Sequence, residues 1–76
     1  MKSPIEKVKE EQDLTIQELA IAADVATMTA YKNIKAENRE PNPKILDTLE
    51  EMGYDRDRLE WQYSKYREEK RAELIS

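Results

Sequence analysis

The sequence predicts an all-α domain of five helices, and three observations predict it. Across 76 residues there are one glycine and three prolines, so few positions interrupt helical structure. No run alternates apolar and polar residues at period two, as a half-buried strand requires. Apolar residues recur instead at i, i+3, i+4 and i+7 in short segments divided by capping and breaking residues. A chain of this length has room for one core. The expected organisation is therefore a single domain over 1–76, with a compact core bundle over 1–53 and an extended C-terminal helix over 54–76.

Ser3-Pro4 opens the first helix, with serine at the cap and proline at the first helical position. Ile5 and Val8, continuing to Gln12, are its expected apolar face, with Lys2, Lys7 and Lys9 outside. Asp13-Leu14-Thr15 breaks it and caps the next helix. Thr15 and Glu18 have the spacing of a capping box, in which two orphan amides are satisfied reciprocally. Ile16, Leu19, Ala20 and Ala23 then form a buried stripe, and the alanines permit close helix–helix approach.

Asp24 occupies a tight turn and Val25 follows as an apolar plug. The third helix begins around Ala26-Thr27, with Val25, Ala30 and Ile34 inward and Thr27, Met28, Tyr31, Lys32 and Lys35 facing out. A polar linker from Ala36 to Pro43 follows, and its two prolines end helical structure. Ile45, Leu46, Leu49 and Met52 make the fourth stripe, closed by Gly53 as a left-handed C-terminal residue. Tyr54-Asp55 leads into the last helix, which carries Leu59, Tyr63 and Tyr66 on one face. Beyond Tyr66 the stripe fades into charged residues, a solvated or fraying end.

Cysteine and histidine are both absent. Disulfides, thiolate metal sites, zinc sites of the usual kinds and nucleophilic triads are thereby excluded. The carboxylates are interleaved with Lys and Arg at helix-surface spacing, a solvated face rather than paired acid–base groups. One glycine does not make a phosphate-cradling loop. The chain is read as a non-enzyme with no cofactor and no metal. No apolar run approaches the roughly 18 residues that cross a bilayer, and Met1 to Asp13 is too charged for a signal peptide. A reducing cytoplasm is the expected compartment, with no membrane partner.

Two short helices joined by a turn, the second starting with small polar residues, is how a helix-turn-helix places a probe in the DNA major groove. The order of motifs resembles the lambda-repressor-like (Cro/repressor, Xre-type) helix-turn-helix family from roughly Ile5 to Leu59. Leu14-Thr-Ile-Gln-Glu-Leu-Ala20 is similar to its L-T-Q-E-E-L-A helix, Asp24-Val25 to its G-V turn, and Thr27-Met-Thr-Ala-Tyr-Lys32 to its probe helix. Pro41 and Pro43, then Ile45-Leu46, Leu49 and Met52-Gly53, resemble its P-x-x-x-x-L-x-x-L-A-x-x-L-G segment. The chain departs from the pattern at Ile16, where the family has a phosphate-anchoring glutamine, with Gln17 displaced by one. It departs also at Asp24 for the turn glycine, at Asn33 for a late apolar residue, and at Ala26 for a Ser or Thr cap. With Ala26 at that place, Thr27 or Asp24 is left to satisfy the amides that open the probe helix.

The resemblance implies a sequence-specific regulator of transcription, a repressor or switch protein of bacterial or phage type, bound to double-stranded DNA. Thr27, Met28, Tyr31 and Lys32 are the expected base-facing residues, and Thr29 is a further expected DNA contact. Lysine donates to guanine O6 and N7, and the threonine and methionine carbons meet the thymine methyl. Thr15, Gln17, Lys35, Asn38 and Arg39 are the expected backbone-positioning residues, with a loop salt bridge to Glu37 or Glu40 as the other reading of Arg39. The net charge of −4 opposes DNA binding, but Val25–Lys44 holds four basic and two acidic residues, a local +2. A single module makes few phosphate contacts, so a homodimer through the last helix (Trp61, Tyr63, Tyr66) is expected. Trp61 lies off the Leu59/Tyr63/Tyr66 stripe, so it either packs against Tyr54 or meets a second subunit. The competing reading is an acidic protein-interaction module of the same fold, an antirepressor or adaptor without DNA binding.

Overall fold

Side chains from the loops start four of the five helices of the computed structural model, which describes residues 1–75. Ser3 Oγ accepts from the Glu6 amide at 3.1 Å and opens α1 (Pro4–Glu11). The expected capping box opens α2 (Ile16–Ala23): Thr15 Oγ1 accepts from the Glu18 amide at 3.1 Å, and the Thr15 amide donates to Glu18 Oε1 at 2.9 Å. Asn42 Oδ1 accepts from the Lys44 amide at 2.8 Å ahead of α4 (Pro43–Glu51). Asp55 Oδ1 accepts from the Arg58 amide at 3.0 Å at the start of α5 (Arg56–Ile75). The exception is α3 (Thr27–Ile34): Ala26 sits at its N-cap and no side chain bonds its first amides. Neither Thr27 nor Asp24 takes the capping role expected of them.

The helix ends explain how a chain with one glycine turns four corners. Asp13, Asp24, Ala36 and Gly53 lie in the left-handed region, at φ 55°, 56°, 56° and 101°. After each, an amide reaches back to close the helix: Leu14 to Lys9 O (2.9 Å), Val25 to Ala20 O (3.0 Å), Glu37 to Lys32 O (2.8 Å) and Tyr54 to Leu49 O (3.1 Å). Asp24 is exposed. Asp24→Gly relieves the left-handed cost at that position, and the freer unfolded chain offsets part of the relief. The expected result is a gain of about 0.5–1 kcal/mol, read as a higher urea midpoint at unchanged slope.

All five helices and the Ala36 corner contribute to one core: Ile5, Val8, Leu19, Ala23, Ile34, Ala36, Ile45, Leu46, Leu49, Leu59 and Tyr63, with Ile16, Val25, Met52, Tyr54 and Tyr66 at its margin. α2 packs against α3 and α4, α1 against α5 and α3, and α4 against α5. Ser3 is buried where α1 meets the end of α3, and its hydroxyl donates to the Ile34 carbonyl. Asn33 and Ile34 both point inward, and the Asn33 side-chain amide is satisfied on one side only, its Oδ1 accepting from the Asn42 amide at 2.7 Å while its buried Nδ2 has no partner among the described residues. Across the far side, Arg56 joins Asp47 and Glu50 of α4 to Glu60 of α5.

Gln12 departs from expectation. It is exposed rather than part of the apolar face of α1, and its amide donates to the Tyr54 hydroxyl at 3.2 Å. The last helix stays helical to Ile75, and every residue from Glu68 to Ile75 is exposed, a solvated end as expected. Its 20 residues span about 30 Å, most of the molecule's longest dimension of 37 Å. Ser76, the final residue of the expected 54–76 segment, lies outside the described residues. No helix among those described is long and apolar enough to cross a membrane.

Candidate nucleic-acid interface

Packing on α2 decides which side of α3 is free. Ala30, Asn33 and Ile34 are buried, and at 100° per residue the opposite side carries Met28, Tyr31, Lys32 and Lys35. All four are exposed, Met28 at 61% and Tyr31 at 40%. Thr27 is exposed at the margin toward α2, and Thr29 is half-buried, so of the expected DNA contacts on α3 Thr29 is the least accessible. No Asp or Glu occurs in α3.

The start of α2 and the start of α3 meet at a shallow groove of about 520 Å³ lined by Thr15, Ile16, Gln17, Thr27, Met28 and Tyr31. Five of these six are residues the sequence assigned to the site. The sixth is Ile16, which is half-buried against the core, while Gln17 beside it is exposed. The uncapped amides of α3 open beside this groove. Free helix-start amides carry a partial positive charge and suit an anionic oxygen. Glu18, the acidic residue next to Gln17 at the α2 side of the groove, already holds the Thr15 amide.

Lys32, Lys35 and Arg39 make no ion pair among the described residues. The alternative reading of Arg39, a bridge to Glu37 or Glu40, is therefore not what the structure contains. The Lys35 ammonium lies 6.0 Å from the centroid of the Tyr31 ring, at the outer limit of a cation–π contact. Lys44, the fourth cation of the local patch, is turned to the α2 corner, its Nζ donating to the Asp24 carbonyl at 3.4 Å.

Asn38 and Arg39 belong to the connection between α3 and α4 and are exposed. That segment is held from α5, by contacts absent from the sequence reading. The Tyr63 hydroxyl donates to the Asn38 carbonyl at 2.8 Å, and the Arg67 guanidinium donates to the Ala36 carbonyl. Burial pushes the Tyr63 phenol above its ordinary pKa, while the Arg67 charge pulls it down less strongly. The hydroxyl is therefore a proton donor at neutral pH.

On the last helix, Tyr63 is fully buried and is not available to a second subunit, which corrects its expected place in a dimer contact. Tyr66 is half-buried. Trp61 is 65% exposed, so it is not packed away against Tyr54. Both rings line a groove of about 600 Å³ between α1 and α5, together with Met1, Pro4 and Tyr66. No family model matches the chain, and neither the curated proteins nor the solved structures compared with it yield a match.

Proposed function

We propose that this protein is a sequence-specific double-stranded DNA-binding regulator of transcription, a repressor or switch protein, working in the cytoplasm of a bacterial or phage-infected cell. In this reading α2 and α3 form a helix-turn-helix of the lambda-repressor-like kind, with α3 in the major groove. The observation that carries it is the outward face of α3, where Met28, Tyr31, Lys32 and Lys35 stand exposed with no carboxylate in the helix. Thr27, Met28, Tyr31 and Lys32 face base edges with Thr29 as a further DNA contact, while Thr15, Gln17, Lys35, Asn38 and Arg39 take phosphates. The unpaired Lys32, Lys35 and Arg39 support that division, because phosphates need not compete with internal carboxylates for them.

One module offers few phosphate contacts, and a net charge of −4 gives no long-range attraction. Useful affinity then calls for two copies reading half-sites about 34 Å apart. The exposed Trp61, with Tyr66 beside it, is the dimer element in this reading.

Titrating salt against duplex binding tests it. The logarithm of affinity is expected to fall linearly with the logarithm of salt, by about 0.9 for every phosphate neutralised. One observation favours the adaptor reading: Ile21 on α2 is 78% exposed next to the exposed Ala22, apolar surface that a protein partner would cover. An adaptor shows no duplex binding even at low salt, and that result would overturn the DNA assignment.

A further inference from the structure

The connection between α3 and α4 has few bonds of its own. From Ala36 to Asn42 the backbone runs through a left-handed corner at Ala36 (φ 56°) and a proline at 41, without a regular hydrogen-bond ladder. What holds it comes from elsewhere. At the far end Asn33 Oδ1 takes the Asn42 amide at 2.7 Å. At the near end and middle, two successive turns of α5 grip it, through Arg67 on the Ala36 carbonyl and Tyr63 on the Asn38 carbonyl. Arg39 follows directly on the gripped Asn38, and its guanidinium has no ion-pair partner among the described residues.

A long flexible cation binds phosphate more tightly when its Cα is already fixed, because ordering the backbone on contact costs about 1–2 kcal/mol per residue. We propose that Tyr63 and Arg67 are positioning residues for DNA binding: from α5 they hold the Ala36–Asn42 connection so that Arg39 meets the DNA backbone already placed. This rests on the DNA-binding reading and extends it to two residues that touch no nucleic acid. Tyr63 and Arg67 lie on the same helix as the exposed Trp61, about half a turn and less than two turns beyond it. A contact that grips α5 and the contact of Arg39 with phosphate are therefore mechanically linked.

The experiment measures duplex affinity and its salt slope for the full chain and for Arg67→Ala, Arg39→Ala and the double variant. Tyr63→Phe is the conservative second probe, since it removes one hydroxyl and keeps the buried ring. Far-ultraviolet circular dichroism and the thermal midpoint confirm that each variant is folded. Arg67→Ala is expected to weaken binding about tenfold, the order of one charge-assisted contact. The loss should be equal on all sequences, and the salt slope should become shallower by about 0.9, one phosphate. In the Arg39→Ala background the same change should add less than about twofold, since coupled residues are not additive. Amide exchange at Glu37–Glu40 should quicken in Arg67→Ala while α2 and α4 keep their protection.

Wild-type affinity and slope in Arg67→Ala and Tyr63→Phe would overturn the proposal and leave the DNA reading intact. So would losses from Arg67→Ala and Arg39→Ala that simply multiply. Absence of duplex binding by the wild-type chain at low salt would instead remove the DNA reading, and this proposal with it.

Discussion

Leu19→Ala is expected to lower stability by about 3 kcal/mol, within the range of about 2–5 for truncating a fully buried leucine. Leu19 is 0% exposed and sits on the stripe by which α2 meets the rest of the core. The lost transfer energy is joined by the cost of the cavity, because α2 is short and fixed at both ends. Thr15 and Glu18 cap its start, and the Asp24 corner closes it. A domain of 76 residues has a total stability on the order of 4–11 kcal/mol, so this one change removes a large share of it. Ile21→Ala on the same helix is the control, because that side chain is 78% exposed and its loss should stay within about 0.5 kcal/mol. Urea unfolding of both variants checks the contrast. Equal shifts would mean that α2 does not present the face described here.

What was legible in the sequence was local. The Thr15–Glu18 box and the Ser3-Pro4 start depend on residues within one turn of each other, and both are present as expected. Gly53 announced its left-handed corner because glycine alone takes that conformation without cost. The corner at Ala36 was illegible for the same reason, since alanine has no preference for φ 56° and is forced there by the bond from the Glu37 amide to Lys32. The cap position of α3 is Ala26, as the sequence places it, but the bond expected there from Thr27 or Asp24 does not form. The Asp24 backbone is committed to ending α2.

The outward side of α3 followed from helical periodicity, so Met28, Tyr31, Lys32 and Lys35 are where that rule put them. The contacts that fix the segment after it span 25 residues for Tyr63 to Asn38 and 31 for Arg67 to Ala36. No periodic or capping rule reaches that far. Gln12 failed differently: it stands at a helix end, where the chain turns away and the apolar register stops applying.

Lys32→Ala and Lys35→Ala are expected to weaken DNA binding in different ways, and the difference tests the proposed docking more sharply than either loss alone. Both side chains are exposed on one face of α3, and neither makes an ion pair among the described residues. They sit three residues apart, nearly one turn along the helix. Lys32, in the body of the helix, reaches a base edge if α3 lies in the groove. Its loss should cut the preference for the best sequence over a mismatched one by about 1–3 kcal/mol, roughly 5- to 150-fold. Lys35 is the C-cap residue of α3 and lies alongside the Tyr31 ring, and in the proposed docking it meets phosphate rather than a base. Its loss should lower affinity equally for all sequences and reduce the salt slope by about one. Selection from random duplexes followed by competition between bound and mismatched sequences measures both effects. A uniform loss in Lys32→Ala would take that lysine off the bases and onto the backbone. A loss of discrimination in Lys35→Ala would instead require α3 to enter the groove by its C-terminal end, reversing the orientation proposed here.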